Sequence, residues 1–308
     1  MRYVYCFLLF IISLSCINRD SEIHGFEKVT VKDSVRGIET FGEKLFFDTR
    51  LSLDNSVSCS SCHKPKLAFA DTVSLSKGVK DRLGFRNTPS LLNLDVKPLL
   101  MLDGAVPNLE MQAIVPIQDH NEMSISMGDL IKKLGKDKEY NDLSNKFFQR
   151  EFDAFVLTRA IAAYIRSLIS RNSDFDMYMK DPIKHPLSDG EQRGWILFNR
   201  KRCIECHSLP DFTNYKISAS GFNHDPLDPG RYRITGDSLD IGKFVVPSLR
   251  NVQVTYPYLH NGSIRSVEEV ILTHYDELEN QLNKAYPSVD QFDANFIARF
   301  LVSLTSYE

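Results

Sequence analysis

The chain carries C-x-x-C-H twice, as Cys59-Ser60-Ser61-Cys62-His63 and again as Cys203-Ile204-Glu205-Cys206-His207. Two cysteines three positions apart, each pair followed at once by a histidine, restrict what can be built around them. Three chemistries use such pairs. A zinc site wants four converging ligands, which two C-x-x-C pairs could supply, but zinc pairs usually stand about 15 to 20 residues apart and need no histidine at this place. A thioredoxin-like redox pair sits in a βαβ context, whereas the segments around both motifs read as loops and helices. The c-type haem reading uses every position: the two thiols add to the vinyl groups of one haem, and the adjacent histidine is carried under the iron. We therefore expect two covalently bound haem c groups, with Cys59, Cys62, Cys203 and Cys206 as attachment thiols and His63 and His207 as proximal iron ligands.

The remaining cysteines fit an exported protein. Of six cysteines, Cys6 falls in an apolar run from Val4 to Ile12 that follows one Arg and precedes small residues, the pattern of an export signal too short to span a bilayer. Cys16 directly after "SLS" resembles a bacterial lipoprotein cleavage site, although Ser13 stands where Leu is usual, and ordinary signal cleavage is the alternative. Residues 1–16 are read as a signal peptide, with Cys16 the candidate lipid anchor and the only expected link to a membrane. No thiol is left for a disulfide, so the four motif cysteines serve cofactor chemistry. The expected location is the periplasm or cell envelope.

Composition excludes other classes. With 43% apolar and 25% charged residues and a formal charge of −3, the chain is a soluble globular protein with no basic face for nucleic acid. Its 308 residues and duplicated motif favour two domains, 17–182 and 183–308, divided near "KDPIKHP" (Lys180 to Pro186). The periodic segments are helical. "FDAFVLTRAIAAYIRSLI" places Phe152, Phe155, Val156, Ile161, Tyr164, Ile165 and Leu168 on one stripe. "SDGEQRGWILFNRKR" starts with Ser188 as N-cap and Glu191 three residues on, a capping box, and runs straight into Cys203. Another helix ends the chain at "FDANFIARFLVSL". Between Cys206 and Pro257, Gly, Pro and Asp predict long loops better than sheet. The fold class is mainly α: two cytochrome c-like haem domains with long loops.

The residues resemble a family. "GEKLFFDTRLSLDNSVSCSSCHKP", "FRNTPSLLN", "AIAAYIRSLISRNSDFD", "DPGRYRITGD", "VPSLRNV" and "PYLHNGSIRSVEEV" are similar to the bacterial dihaem cytochrome c peroxidases and their maturase relatives, from about Gly42 to the C-terminus. The resemblance implies an N-terminal haem that meets hydrogen peroxide and a C-terminal haem that receives electrons from a small c-type cytochrome or a cupredoxin. It carries the family's glutamine onto Gln112 and its acid-base glutamate onto Glu122; without it, Glu122 would be one carboxylate among 40 acidic residues. His120, two residues away, reads as a surface histidine. The resemblance also implies a calcium ion between the domains, held by the Asn87 side chain and the carbonyls of Thr255 and Pro257, hard oxygen donors that suit it.

The chain departs from the family in three places. The loop "SLSKGVKDRLGFRN" has no histidine where studied peroxidases keep a displaceable ligand, a place read at Ser76 or Lys77, so the first haem is expected to be open without reductive activation. The distal ligand of the second haem stands fourteen residues after His260, at His274, with Tyr275 the alternative; a histidine in place of a thioether lowers the potential. Leu102 occupies the family's inter-haem Trp position, and the only Trp, Trp195, lies before the second motif. Inter-haem transfer is then tunnelling through the packed interior.

Three functions compete: peroxide reduction, a maturase-like oxidation of a protein side chain, and a non-enzymatic dihaem electron carrier or sensor with no use for Glu122. The sequence is compatible with a homodimer.

Overall fold

The stretches "GEKLF" (42–46) and "GWILF" (194–198) do the same work in two places. In the computed structural model, which describes residues 31–222 and 227–306, each glycine lets a helix lie directly on another. Helix α1 (Val31–Phe47) crosses α7 (Ala154–Ser167) at Gly42, where a Cβ would stand 1.9 Å from the Ala160 carbonyl oxygen. Helix α9 (Asp189–Arg200) crosses α12 (Gln291–Val302) at Gly194, where a Cβ would stand 2.0 Å from the Phe296 carbonyl oxygen. Four residues on, Phe46 and Phe198 reach the same neighbours in each unit. Phe46 lies 5.1 Å from Tyr164 and 5.9 Å from Phe69, and Phe198 lies 5.2 Å from Phe300 and 6.0 Å from Phe212. The chain therefore contains one aromatic-cornered helix pair twice, each leading into a C-x-x-C-H turn.

Gly194→Ala makes this testable. The added methyl must push α9 off α12, and overpacking of this kind costs about 1–3 kcal/mol. Thermal unfolding of the variant is expected to begin lower than in the wild type; an unchanged melting curve would remove the close crossing from the account.

Two cores follow. The first gathers Phe41, Leu45 and Phe46 of α1 with Val156, Leu157 and Ile161 of α7, and with Leu109, Ile117 and Leu130 of the short helices α3 (Leu109–Gln112), α4 (Ile114–Gln118) and α5 (Met127–Leu134). Tyr140 of α6 (Lys138–Phe148) completes it. The second gathers Phe198, Phe212, Ile271, Ile297 and Phe300, with Trp195 packed at its side. It also takes Phe175 from α8 (Asp174–Lys180), so the residues of the second core start before the Lys180 to Pro186 connection.

Local signals predict the helix ends. Ser188 and Glu191 form the expected capping box, and Asp153 caps α7 by accepting from the Val156 amide at 3.0 Å. Phe155 departs from its predicted stripe. It is 41% exposed, lying at the flank of the face set by Val156 and Ile161, and the guanidinium groups of Arg159 and Arg150 sit 3.5 and 4.6 Å from its ring centre, covering it with charge. Leu168 is partly buried against the first core.

The segment after Cys206 is mostly loop, as expected, but it contains a short antiparallel ribbon, β1 (Ile217–Ala219) against β2 (Lys243–Val245). The Val245 amide then donates to the Leu102 carbonyl at 2.8 Å, tying the ribbon to the first half of the chain. A buried ion cluster fixes the same junction: Arg86 pairs with Asp103 at 2.8 Å and Asp228 at 2.6 Å, and Arg233 reaches Asp103 at 2.8 Å. Among the described residues no helix is long and apolar enough to cross a membrane.

Candidate haem-binding sites

Each C-x-x-C-H folds as one helical turn. Cys59–Cys62 forms α2, and Cys203–Glu205 is a 3-10 turn entered through Arg202 in the left-handed region. The His63 amide donates to the Cys59 carbonyl at 2.9 Å and the His207 amide to the Cys203 carbonyl at 2.9 Å, so both motifs have the same backbone closure. Residues three apart on a helical turn share a face, which puts both thiols of a pair beside one ligand. All four thiols are free. Burial pushes Cys59 up to about 12 and Cys62 and Cys203 to about 11, so they stand as neutral thiols. Among the described residues no three His, Cys, Asp or Glu side chains converge as a metal cluster.

The histidines are oriented by backbone carbonyls. His63 Nδ1 lies 3.1 Å from the Phe69 carbonyl, and His207 Nδ1 lies 3.2 Å from the Phe212 carbonyl and 3.1 Å from the Pro247 carbonyl. A carbonyl can only accept, so Nδ1 carries the proton and Nε2 keeps its lone pair, the arrangement of an iron-ligating imidazole. The aromatic corner thus does two jobs: Phe69 and Phe212 pack with their side chains and orient the histidines with their carbonyls. Burial holds both histidines below the ordinary range, and burial with His274 nearby takes His207 down to about 4.

His274, on α11 (Val267–Leu282), follows the same rule. Its Nδ1 lies 3.0 Å from the Ser220 carbonyl, and a Cβ on Gly221 would stand 2.3 Å from that nitrogen, so the close approach requires glycine. Tyr275 is engaged elsewhere. Its hydroxyl donates to the Lys201 carbonyl and stands 3.1 Å from Cys203 Sγ, and burial pushes it far above the ordinary phenol range. Of the two, His274 keeps an unprotonated ring nitrogen, while the Tyr275 hydroxyl is protonated and held by Lys201 and Cys203. A cavity of about 350 Å³ lies between His207 and His274, walled by Cys206, Leu249, Val270 and Leu278 and reaching Leu102. A contiguous hollow of about 100 Å³, also lined by Cys206, His207 and His274, adds Cys203, Tyr275 and Ile297. Thiols on one wall, two imidazoles with free Nε2 and apolar sides fit a haem.

At the first motif, Glu122 is placed by the loop before it. The Val79 amide donates to the Glu122 carbonyl at 2.8 Å, and a Cβ on Gly78 would meet the Asn121 carbonyl at 2.0 Å, so the loop passes at van der Waals contact. Burial, with Asp119 nearby, raises the Glu122 carboxyl to about 7, and its charge is felt by Cys59 and Cys62. Among the described residues no cation pairs with it. Gln112 ends α3 with its Oε1 buried and unbonded, a polar atom left for a bound group; no hydrogen bond joins it to Glu122 among the described residues. His120 is exposed, with Arg82 donating to its carbonyl at 2.7 Å.

Ser76 is buried and donates to Asp71 at 2.7 Å, and Lys77 is exposed beside Asp81. Val79, whose amide reaches the Glu122 carbonyl, is fully buried, and the Ser76 hydroxyl stands beside the Cys62 thiol. Asn87, Thr255 and Pro257 line one cavity. Asn87 donates through Nδ2 to the Val73 and Ser74 carbonyls at 3.1 and 3.2 Å, which leaves its Oδ1 to accept. Cys6 and Cys16 lie outside the described residues. Sequence reasoning missed Gly78, Val79 and Gly221, which position Glu122 and His274; the glycines were visible, but not what they touch.

Comparison with known proteins agrees with this geometry. A family model described as di-haem cytochrome c peroxidase matches residues 37–183. The cytochrome c551 peroxidase of Nitrosomonas europaea is 31% identical over 269 residues, covering 86% of this chain and 78% of that protein. The methylamine utilization protein MauG of Methylophilus methylotrophus is 31% identical over 258 residues, covering 82% and 76%. The crystal structure of a MauG-like protein associated with microbial copper homeostasis superposes with a TM-score of 0.77 at 28% identity, covering 88% and 89%. With its two histidine-closed thiol pairs and mainly helical fold, the chain belongs to the di-haem cytochrome c peroxidase family, which takes in the MauG proteins.

Proposed function

We propose that this protein reduces hydrogen peroxide to water with electrons from a small c-type cytochrome or cupredoxin. The observation that carries the reading is Glu122: a half-buried carboxyl with no cationic partner among the described residues, raised to about 7, within electrostatic reach of the first thiol pair. An electron carrier has no use for such a group. Two bound haems would supply the redox chemistry, passing two electrons to the peroxide while two protons complete two waters. Cys59, Cys62 and His63 would hold the first haem, and Cys203, Cys206, His207 and His274 the second. Glu122 acts as base and then acid: it takes the proton from one peroxide oxygen and returns it to the other, so that the O–O bond breaks heterolytically. Gln112, with its unbonded carbonyl oxygen, orients the peroxide. With no histidine in the loop from Ser74 to Asn87, the first site would be open in the fully oxidised protein.

The two cores are the two domains of this reading, with calcium held at Asn87, Thr255 and Pro257 between them. The protein works in the periplasm or cell envelope, anchored through Cys16. Maturase-like oxidation of a protein side chain is the second reading, favoured by the open first site; Leu102, which cannot hold an oxidising equivalent, weighs against it.

The reading predicts two haems. Denatured protein on a gel is expected to keep haem stain, and pyridine-haemochrome analysis to give two haems per chain; one haem, or bound zinc, would overturn it. Peroxide-dependent oxidation of a ferrocytochrome, without modification of a partner protein, separates peroxidase from maturase.

A further inference from the structure

The cavity between His207 and His274 carries an unbalanced charge. Three acidic or basic side chains other than histidine line it: Lys97, Asp211 and Arg250. Two of them are satisfied. Arg250 makes a bidentate pair with Asp176 at 2.8 and 2.7 Å and also donates to the Pro210 carbonyl. Asp211 accepts from Arg171 at 3.0 Å and from Tyr215 at 2.8 Å. Asp95, close in sequence to Lys97, is taken by Arg171 at 3.2 Å. Among the described residues nothing pairs with the Lys97 ammonium.

Lys97 is half-buried, and an ammonium partly withdrawn from water without a partner is costly, since buried cations are normally paired. Burial alone brings Lys97 down to about 8, so it remains mostly charged at neutral pH. The wall around it is otherwise uncharged, with Leu92, Leu94 and Leu102 beside the neutral Ser90 and Asn93. A single uncompensated cation on such a wall marks where the occupant is negative, and a haem carries two carboxylates.

We propose that Lys97 is the counter-charge for a propionate of the haem seated between His207 and His274. This rests on the dihaem reading and adds a residue to it: His207 and His274 fix the iron, and Lys97 fixes the rotation of the macrocycle about that axis. A cation beside the cofactor favours the reduced state, since it stabilises the added electron, so Lys97 raises the potential that a bis-imidazole iron would otherwise have.

Spectroelectrochemical titration of the holoprotein tests this, with resonance Raman observation of the propionate bending mode. Lys97→Met is expected to lower the reduced-to-oxidised ratio of the C-terminal haem at fixed poise by about tenfold, the order a unit charge exerts across several ångströms of protein interior, and to move the propionate mode. Lys97→Arg keeps the charge and is expected to stay near wild type in the ratio. If the Met variant does not accumulate, Lys97→Gln removes the charge with less change in polarity and gives the same readout. A variant with full haem content that titrates like the wild type, with the propionate mode unmoved, would overturn the assignment. A wild type without two haems would instead sink the reading beneath it.

Discussion

Glu122→Gln is expected to slow peroxide turnover by about 10² to 10⁴, the usual contribution of a general acid-base group, while haem content and fold stay intact. The side chains are nearly isosteric, and what places Glu122 is backbone: the Val79 amide on its carbonyl and the close pass of Gly78. Positioning therefore survives the substitution and proton transfer does not. The pH profile carries the sign. Burial raises the Glu122 carboxyl to about 7, and it must be ionised to take the first proton, so the second-order rate with peroxide is expected to rise with pH through about 7 and level off above it. In Glu122→Gln that rise disappears. Stopped-flow mixing across this pH range measures both effects, and wild-type rates in the variant would remove Glu122 from the chemistry.

The second large effect concerns the other iron. His274→Ala is expected to convert the C-terminal haem from six-coordinate low spin to high spin, whereas Tyr275→Phe leaves it low spin. The physical reason is the difference in hydrogen bonding. His274 spends Nδ1 on the Ser220 carbonyl and keeps Nε2, while the Tyr275 hydroxyl is spent on the Lys201 carbonyl beside Cys203. Electron paramagnetic resonance of the oxidised variants distinguishes the two, and low spin retained in His274→Ala with loss in Tyr275→Phe would transfer the ligand to the tyrosine.

What was legible in the sequence was what is local. The two C-x-x-C-H turns, the Ser188 capping box and the terminal helix depend on residues a few positions apart, and there the physical rule and the sequence spacing coincide. Phe155 was misplaced because a helical stripe has edges: one step from Val156 it meets Arg159 and Arg150 instead of core. The β1–β2 ribbon was missed because three-residue strands between Gly-rich turns show no alternation to read. Counting along the loop to Ser76 reached a residue whose hydroxyl stands beside Cys62, but the turn through Lys80 and Asp81, both in left-handed conformations, is not something composition reveals. The repeated helix pair was half visible, in "GEKLF" and "GWILF", but its meaning came only with the partner carbonyls of Ala160 and Phe296.

The most direct test of the account mixes fully oxidised protein with hydrogen peroxide and a reduced small cytochrome, and follows the absorbance of the cytochrome from the first milliseconds. With an open first haem and Glu122 in place, the account predicts immediate peroxide-dependent oxidation without a lag and without prior reduction of the enzyme. Two low-spin, six-coordinate haems that ignore peroxide until the protein is half reduced, or at all, would contradict it.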